Sequence, residues 1–109
     1  MKEYFSIYQV KPTLTRDLAF RRYEEVQNSV DVLNYSLLYT AERGEMNLDD
    51  IFETFNVAIP QDFTGHSLSV SDVIVFWNEG TDDTMAFFID IFGFVRIPDF
   101  FAGERRKRK

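Results

Sequence analysis

Apolar and polar residues alternate over residues 3–11, with Phe5 and Ile7 on one face, Tyr4, Tyr8 and Val10 on the other, and Pro12 closing the run. This two-residue repeat predicts a first strand. Residues 13–34 fit neither the strand nor the helix period, and only Tyr23-Glu24-Glu25-Val26-Gln27 has helical composition, so a short helix is expected near 22–28. Alternation returns at Tyr35–Thr40, where Tyr35, Leu37 and Tyr39 are expected to share a face of a second strand that ends at Arg43-Gly44. Leu48, Ile51, Phe52 and Phe55 then fall at i, i+3, i+4 and i+7 behind Asn47, which predicts a capped helix over 48–56 with Asp49 and Asp50 in its first turn.

Pro60 prevents that helix from continuing, 61–67 reads as loop, and Leu68 and Val70 restart an alternation with Ser67, Ser69 and Ser71 opposite. Val73-Ile74-Val75-Phe76-Trp77 is apolar without a break, the mark of a central strand covered on both faces. The polar segment 78–83 turns the chain into a returning strand, Met85 to Ile91, and Gly93 permits a second turn before a short last strand, 94–97, that Pro98 stops. The connections are too short for repeated parallel crossovers. The expected fold is therefore α+β: a mainly antiparallel sheet of about five strands with two short helices, in one compact domain over 1–103.

Composition sharpens this picture. A chain of 109 residues supports a single core, and 12 Phe, 5 Tyr and 1 Trp make that core aromatic. Without Cys there is neither a disulfide framework nor a thiolate zinc site, which fits a reducing compartment, and the cytoplasm is expected. The N-terminal segment lacks the apolar stretch of a signal peptide, and no run approaches the roughly 20 apolar residues of a membrane span.

The net charge of −6 conceals a strong polarisation. Five of the twelve basic residues are Arg105, Arg106, Lys107, Arg108 and Lys109, and residues 1–104 carry 7 basic and 18 acidic groups. Between Gly44 and Val95 there is no Lys or Arg at all. The segment 104–109 reads as a disordered basic tail, and the acidic middle as a surface that a basic partner would recognise. The proposed surface consists of Asp49, Asp50 and Glu53 on the helix, with Glu79, Asp82 and Asp83 on the turn.

In sequence order, the blocks Asn34–Thr40, Leu48–Asn56, Gly65-His66-Ser67-Leu68-Ser69-Val70-Ser71-Asp72-Val73-Ile74-Val75, Phe88-Ile89-Asp90 and Phe92-Gly93-Phe94 resemble the YodL-like domain family over about residues 3–101. The most specific of these is the string His66 to Val73. The resemblance implies a small bacterial domain found in large proteins of conjugative elements and phages, beside modules that counter host defences. It implies no enzymatic activity and no cofactor. It also implies an extended 18–21 and a helix starting near Tyr23, since relatives carry Pro where this chain has Arg22. The 78–83 turn, longer and more acidic than the family's, is a departure.

His66, Ser67, Ser69, Ser71 and Asp72 hold the residue types of a hydrolytic triad, but sequence adjacency does not assemble one and no Gly-x-Ser-x-Gly elbow is present. The favoured reading has His66 and Ser67 satisfying backbone groups at the loop exit and Asp72 pinning the turn into the next strand. The acidic residues do not have the spacing of a calcium loop, so no catalytic, cofactor or metal site is assigned. Phe92, Phe94, Phe100 and Phe101 are expected in the core, with an exposed Phe100-Phe101 docking patch as the lesser alternative. The expected function is a non-enzymatic protein-binding module of a mobile element or phage that inhibits a host protein through its acidic surface. The alternatives are nucleic-acid association through the basic tail and a hydrolase centred on His66.

Overall fold

Val73, Ile74, Val75 and Phe76 are all buried, so the strand that carries them needs cover on both sides and takes the middle of the sheet. In the computed structural model, which describes residues 2–107, the strands are β1 (Glu3–Val10), β2 (Tyr35–Glu42), β3 (Val73–Asn78), β4 (Thr84–Asp90) and β5 (Gly93–Arg96). They form one antiparallel sheet in the order β2-β1-β3-β4-β5. The helices are α1 (Thr15–Leu18), α2 (Tyr23–Val26), α3 (Leu48–Val57) and α4 (Ala102–Lys107). The fold is the expected mixed α+β arrangement.

One face of the sheet, with Phe5, Ile7, Ile74, Phe76 and Ile89, is covered by Ile51 and Phe55 of α3 and by Phe63 and Leu68 of the following loop. The start of α3 is set by a reciprocal cap. Asn47 Oδ1 accepts the Asp50 N–H at 2.8 Å and Asp50 Oδ2 accepts the Asn47 N–H at 2.9 Å, satisfying two donors that the first helical turn leaves free. The opposite face, with Val10, Val73, Val75, Ala86 and Phe88, lies under Val26, Ile97 and Phe100. Edge-to-face ring pairs hold that layer: Tyr23 with Phe88 at 5.2 Å, and Phe100 with both Tyr8 and Tyr35 at 5.3 Å.

Five expectations are corrected. Tyr39 does not share a face with Leu37, because β1 pairs Tyr8 with Leu37 but Ile7 with Tyr39, and the extra residue, Leu38, bulges β2 and turns Tyr39 toward α3. Between α3 and β3, Leu68 enters the core and the chain turns until Val73. Residues 15–18 form the unpredicted α1, and Phe20 has a φ of 63° rather than an extended conformation. Phe92 is 95% exposed at the β4–β5 turn instead of buried, whereas Phe100 is buried and Phe101 half-buried.

The last correction concerns the basic segment. It is helical through Lys107 rather than disordered from 104, because Asp31 Oδ2 accepts the Gly103 N–H at 2.9 Å and Phe100 O accepts the Val32 N–H at 2.8 Å, docking α4 on the domain. Arg108 and Lys109 lie outside the described residues.

The capping pair makes a direct prediction. Asn47→Ala should lower the unfolding free energy by about 1 kcal/mol, read from urea midpoints at constant slope. An unchanged midpoint would mean that the cap does not hold α3.

Candidate functional site

Two places concentrate polar chemistry. The first lies where the end of β1 meets the 66–72 segment, and it gathers the residues singled out in the sequence around one that was not, Gln9. Gln9 is a buried amide in an otherwise apolar strand end, and its Nε2 donates to His66 O at 2.9 Å and to Asp72 Oδ2 at 3.1 Å. Asp72 Oδ2 also accepts the Ser69 N–H at 3.0 Å. Gly65 sits against the Gln9 Oε1 end, Leu38 and Phe63, where no Cβ would fit.

Ser71 adopts a φ of 87°, unusual for a residue with a Cβ, and all of its polar groups are engaged. Its carbonyl accepts the Tyr35 hydroxyl at 2.7 Å, its N–H donates to Ile89 O at 2.9 Å, and its Oγ accepts the Phe20 N–H at 2.9 Å. Burial raises the Tyr35 hydroxyl pKa, with a smaller contribution from the nearby Asp72 charge. These bonds hold Phe20, itself in the left-handed region and 59% exposed, beside His66 at a ring separation of 5.4 Å. Two residues with positive φ locked together by a part-buried hydrogen bond are the pattern expected where a loop geometry is over-determined.

His66 Nδ1 lies 2.7 Å from Ser67 O, and a carbonyl only accepts, so the ring proton sits on Nδ1. The contact of Gln9 Nε2 with Nδ1 at 3.2 Å is then a packing contact, since both Gln9 protons are already placed. Nδ1 is 3.9 Å from Asp72 Oδ2, an ion pair only when the ring is charged. Among the described residues no serine hydroxyl bonds to the imidazole: Ser71 Oγ serves Phe20, and Ser69 Oγ is buried without a partner. His66 and Asp72 do meet, therefore, but without the nucleophile that a triad needs. The favoured reading of Asp72 as a pin on the turn matches its bonds.

The second place is a groove of about 600 Å³ on the other face of the sheet, where the cover of α2, Phe100 and α4 stops short of the strand ends that carry Glu42 and Asn78. Its floor is Ser6, Tyr8, Thr40, Val75 and Trp77, with Leu37 beside them, 56% exposed. Trp77 Nε1 donates to Ser6 Oγ at 3.0 Å, and Ser6 Oγ lies 2.9 Å from Thr40 Oγ1, a chain across three strands. Tyr4 stacks on the indole with centroids 4.6 Å apart. Thr81, Asp82 and Thr84 form one wall, and Phe101, Glu104 and Arg105 of the C-terminal segment form the other.

The acidic residues are divided between these faces. Asp49, Asp50 and Glu53 are exposed on α3, over the face opposite the groove, whereas Asp82 lines the groove and Glu79 and Asp83 flank it on the same exposed turn. The helix and turn thus do not combine into the single acidic face expected from sequence. Nor are all the carboxylates of the middle segment solvated: Asp72 is buried, and Asp90 Oδ1 accepts the N–H groups of Tyr23 at 3.1 Å and Ile91 at 2.9 Å. Of the basic segment, Arg105 lines the groove, while the side chains of Arg106 and Lys107, with Arg108 and Lys109, lie outside the described residues.

Burial pushes the Asp72 carboxyl up to about 7, against the opposing pull of the Ser69 N–H, His66 and Gln9. Its pKa in the folded chain is above the unfolded value, so the folded state binds this proton more tightly. Stability from this group is then full below about pH 4 and declines as pH rises through about 7, by a few kcal/mol in all. Urea midpoints measured between pH 4 and 8 should fall in that sense for the wild type, and Asp72→Asn should flatten the profile. A profile unaltered by that substitution would exclude Asp72 as the titrating group.

No curated protein and no solved structure matches the chain. The sequence does match the family model of the YodL-like domain over residues 4–100, a span that takes in all five strands apart from Glu3, the Gln9–Asp72 cluster and most of the groove. The chain belongs to the YodL-like domain family.

Proposed function

We propose that this domain is a non-enzymatic protein-binding module whose docking surface is the half-covered sheet face. The observation that carries the reading is the groove itself: a floor with Trp77, Tyr8 and exposed Leu37 is left open although the same face is sealed by aromatic packing a few residues away. Aromatic and aliphatic side chains around hydroxyls form the kind of surface that anchors a partner chain. The expected acidic docking surface is retained here only in part, through the 78–83 turn on the groove rim. The setting proposed for it is the cytoplasm, as part of a mobile element or phage, with a host or element-encoded protein as partner and inhibition of a defence protein as the outcome.

Among the described residues, no helix is long and apolar enough to cross a membrane, and no three His, Cys, Asp or Glu side chains gather as metal ligands. The His66 cluster serves in this reading to brace the sheet end, since its hydrogen bonds are directed inward.

The test compares two sets of variants in cross-linking capture from host lysate. Leu37→Arg with Thr84→Arg, both at exposed groove positions, should remove specific partners by about tenfold or more while leaving the circular dichroism unchanged. Asp49→Asn with Glu53→Gln on α3 should leave them in place. Retention of the same partners by the groove variant would dismiss this surface.

A further inference from the structure

Resting on that reading of the groove, we infer that its occupant is an extended segment of a partner protein that carries lysine or arginine side chains. Three features of the groove define this chemistry. The first is charge. Asp82 projects from the turn and Glu104 from α4, so carboxylates line both walls, with Arg105 as the one cation among the described lining residues. Glu79 and Asp83 add to the turn wall, and among the described residues Glu79, Asp82 and Asp83 have no cationic partner. Three carboxylates on a six-residue turn would hold a cationic segment and repel an acidic one or a nucleic-acid backbone.

The second feature is the aromatic floor. Trp77 is held at its Nε1 edge by Ser6 and stacked on one side by Tyr4, yet it still lines the groove. An indole fixed in this way accepts the alkyl stem of Lys or Arg, and its π face attracts the charged end. The strand that bears Asn78 leads from this indole directly into the acidic turn. A cation at the aromatic ring is therefore near the carboxylates that would neutralise it.

The third is the shape of the opening. The groove extends across the sheet face to β2, which is an outer strand among the described residues, and Leu37 and Thr40 face the groove from that strand. An extended segment lying on this face can place alternate side chains on such a floor, beside Leu37 and Thr40.

Trp77 is the only tryptophan in the chain, so its emission reports this groove alone. The probes are three capped peptides of equal length: alternating lysine and valine, alternating glutamate and valine, and alternating glycine and serine. The lysine–valine peptide should give a saturable change in emission that weakens by about tenfold in 0.5 M NaCl. In nitrogen-15 spectra it should shift the Trp77 Nε1–H peak together with the Leu37 and Thr40 amides. Asp82→Asn with Asp83→Asn should weaken it by about threefold or more, whereas Asp49→Asn with Glu53→Gln should not.

Equal binding of the glutamate–valine or glycine–serine peptide at the same residues would overturn the cationic occupant while leaving the groove a docking surface. Equal weakening by the α3 pair would also overturn it, because overall charge rather than the groove would then be responsible. No response to any peptide by the folded protein overturns the extended segment, and the lysate comparison with the groove variant decides separately whether the surface binds at all.

Discussion

A central strand apolar on both sides must be covered twice, and the rest of this chain is arranged around that demand. β3 buries Ile74 and Phe76 on one side and Val73 and Val75 on the other. The first side is met by a single amphipathic helix and the loop behind it. The second is met by material from two distant parts of the sequence, residues 12–34 and 97–107, joined through Asp31 and the Val32–Phe100 hydrogen bond. Hydrophobic burial is roughly proportional to the area removed from water, so each patchwork piece contributes according to the surface it covers. This second cover stops before the end of β3, and the uncovered remainder is the groove.

What could be read from the residues follows the same division. β3 and α3 are legible because their stabilising pattern is local: a continuous apolar run in one, and an i, i+3, i+4, i+7 stripe with its own cap in the other. The cover on the second face is illegible because its supports are remote. The N–H of Tyr23 at the start of α2 is satisfied by Asp90, and α4 is held by Asp31, so neither helix shows its partner in neighbouring sequence. The Phe20 conformation depends in the same way on Ser71.

The candidate sites divide similarly. The string His66 to Asp72 stands out in the sequence, and the fold does bring His66 and Asp72 together. Gln9, which connects them, carries no local signal beyond being a lone amide in an apolar strand. The groove could not be read in advance because its residues come from β1, β2, β3, β4, a turn and the C-terminal segment. Charge reasoning located the acidic residues but not their sides: the α3 helix and the 78–83 turn, both acidic, lie on opposite faces of one sheet.

The bulge at Leu38 adds something of a different kind. On either side of it the two strands keep their regular pairing, Leu37 opposite Tyr8 and Tyr39 opposite Ile7, so the extra residue belongs to neither repeat. Removing one residue from a regular strand inverts every side chain beyond the deletion, but removing this one would return β2 to plain alternation with Leu37 and Tyr39 still on their present sides. The loss would be confined to the contacts of Leu38 itself with the α3-side core. The outer strand thus carries a spare residue, a place where one amino acid can be lost without rewriting either face.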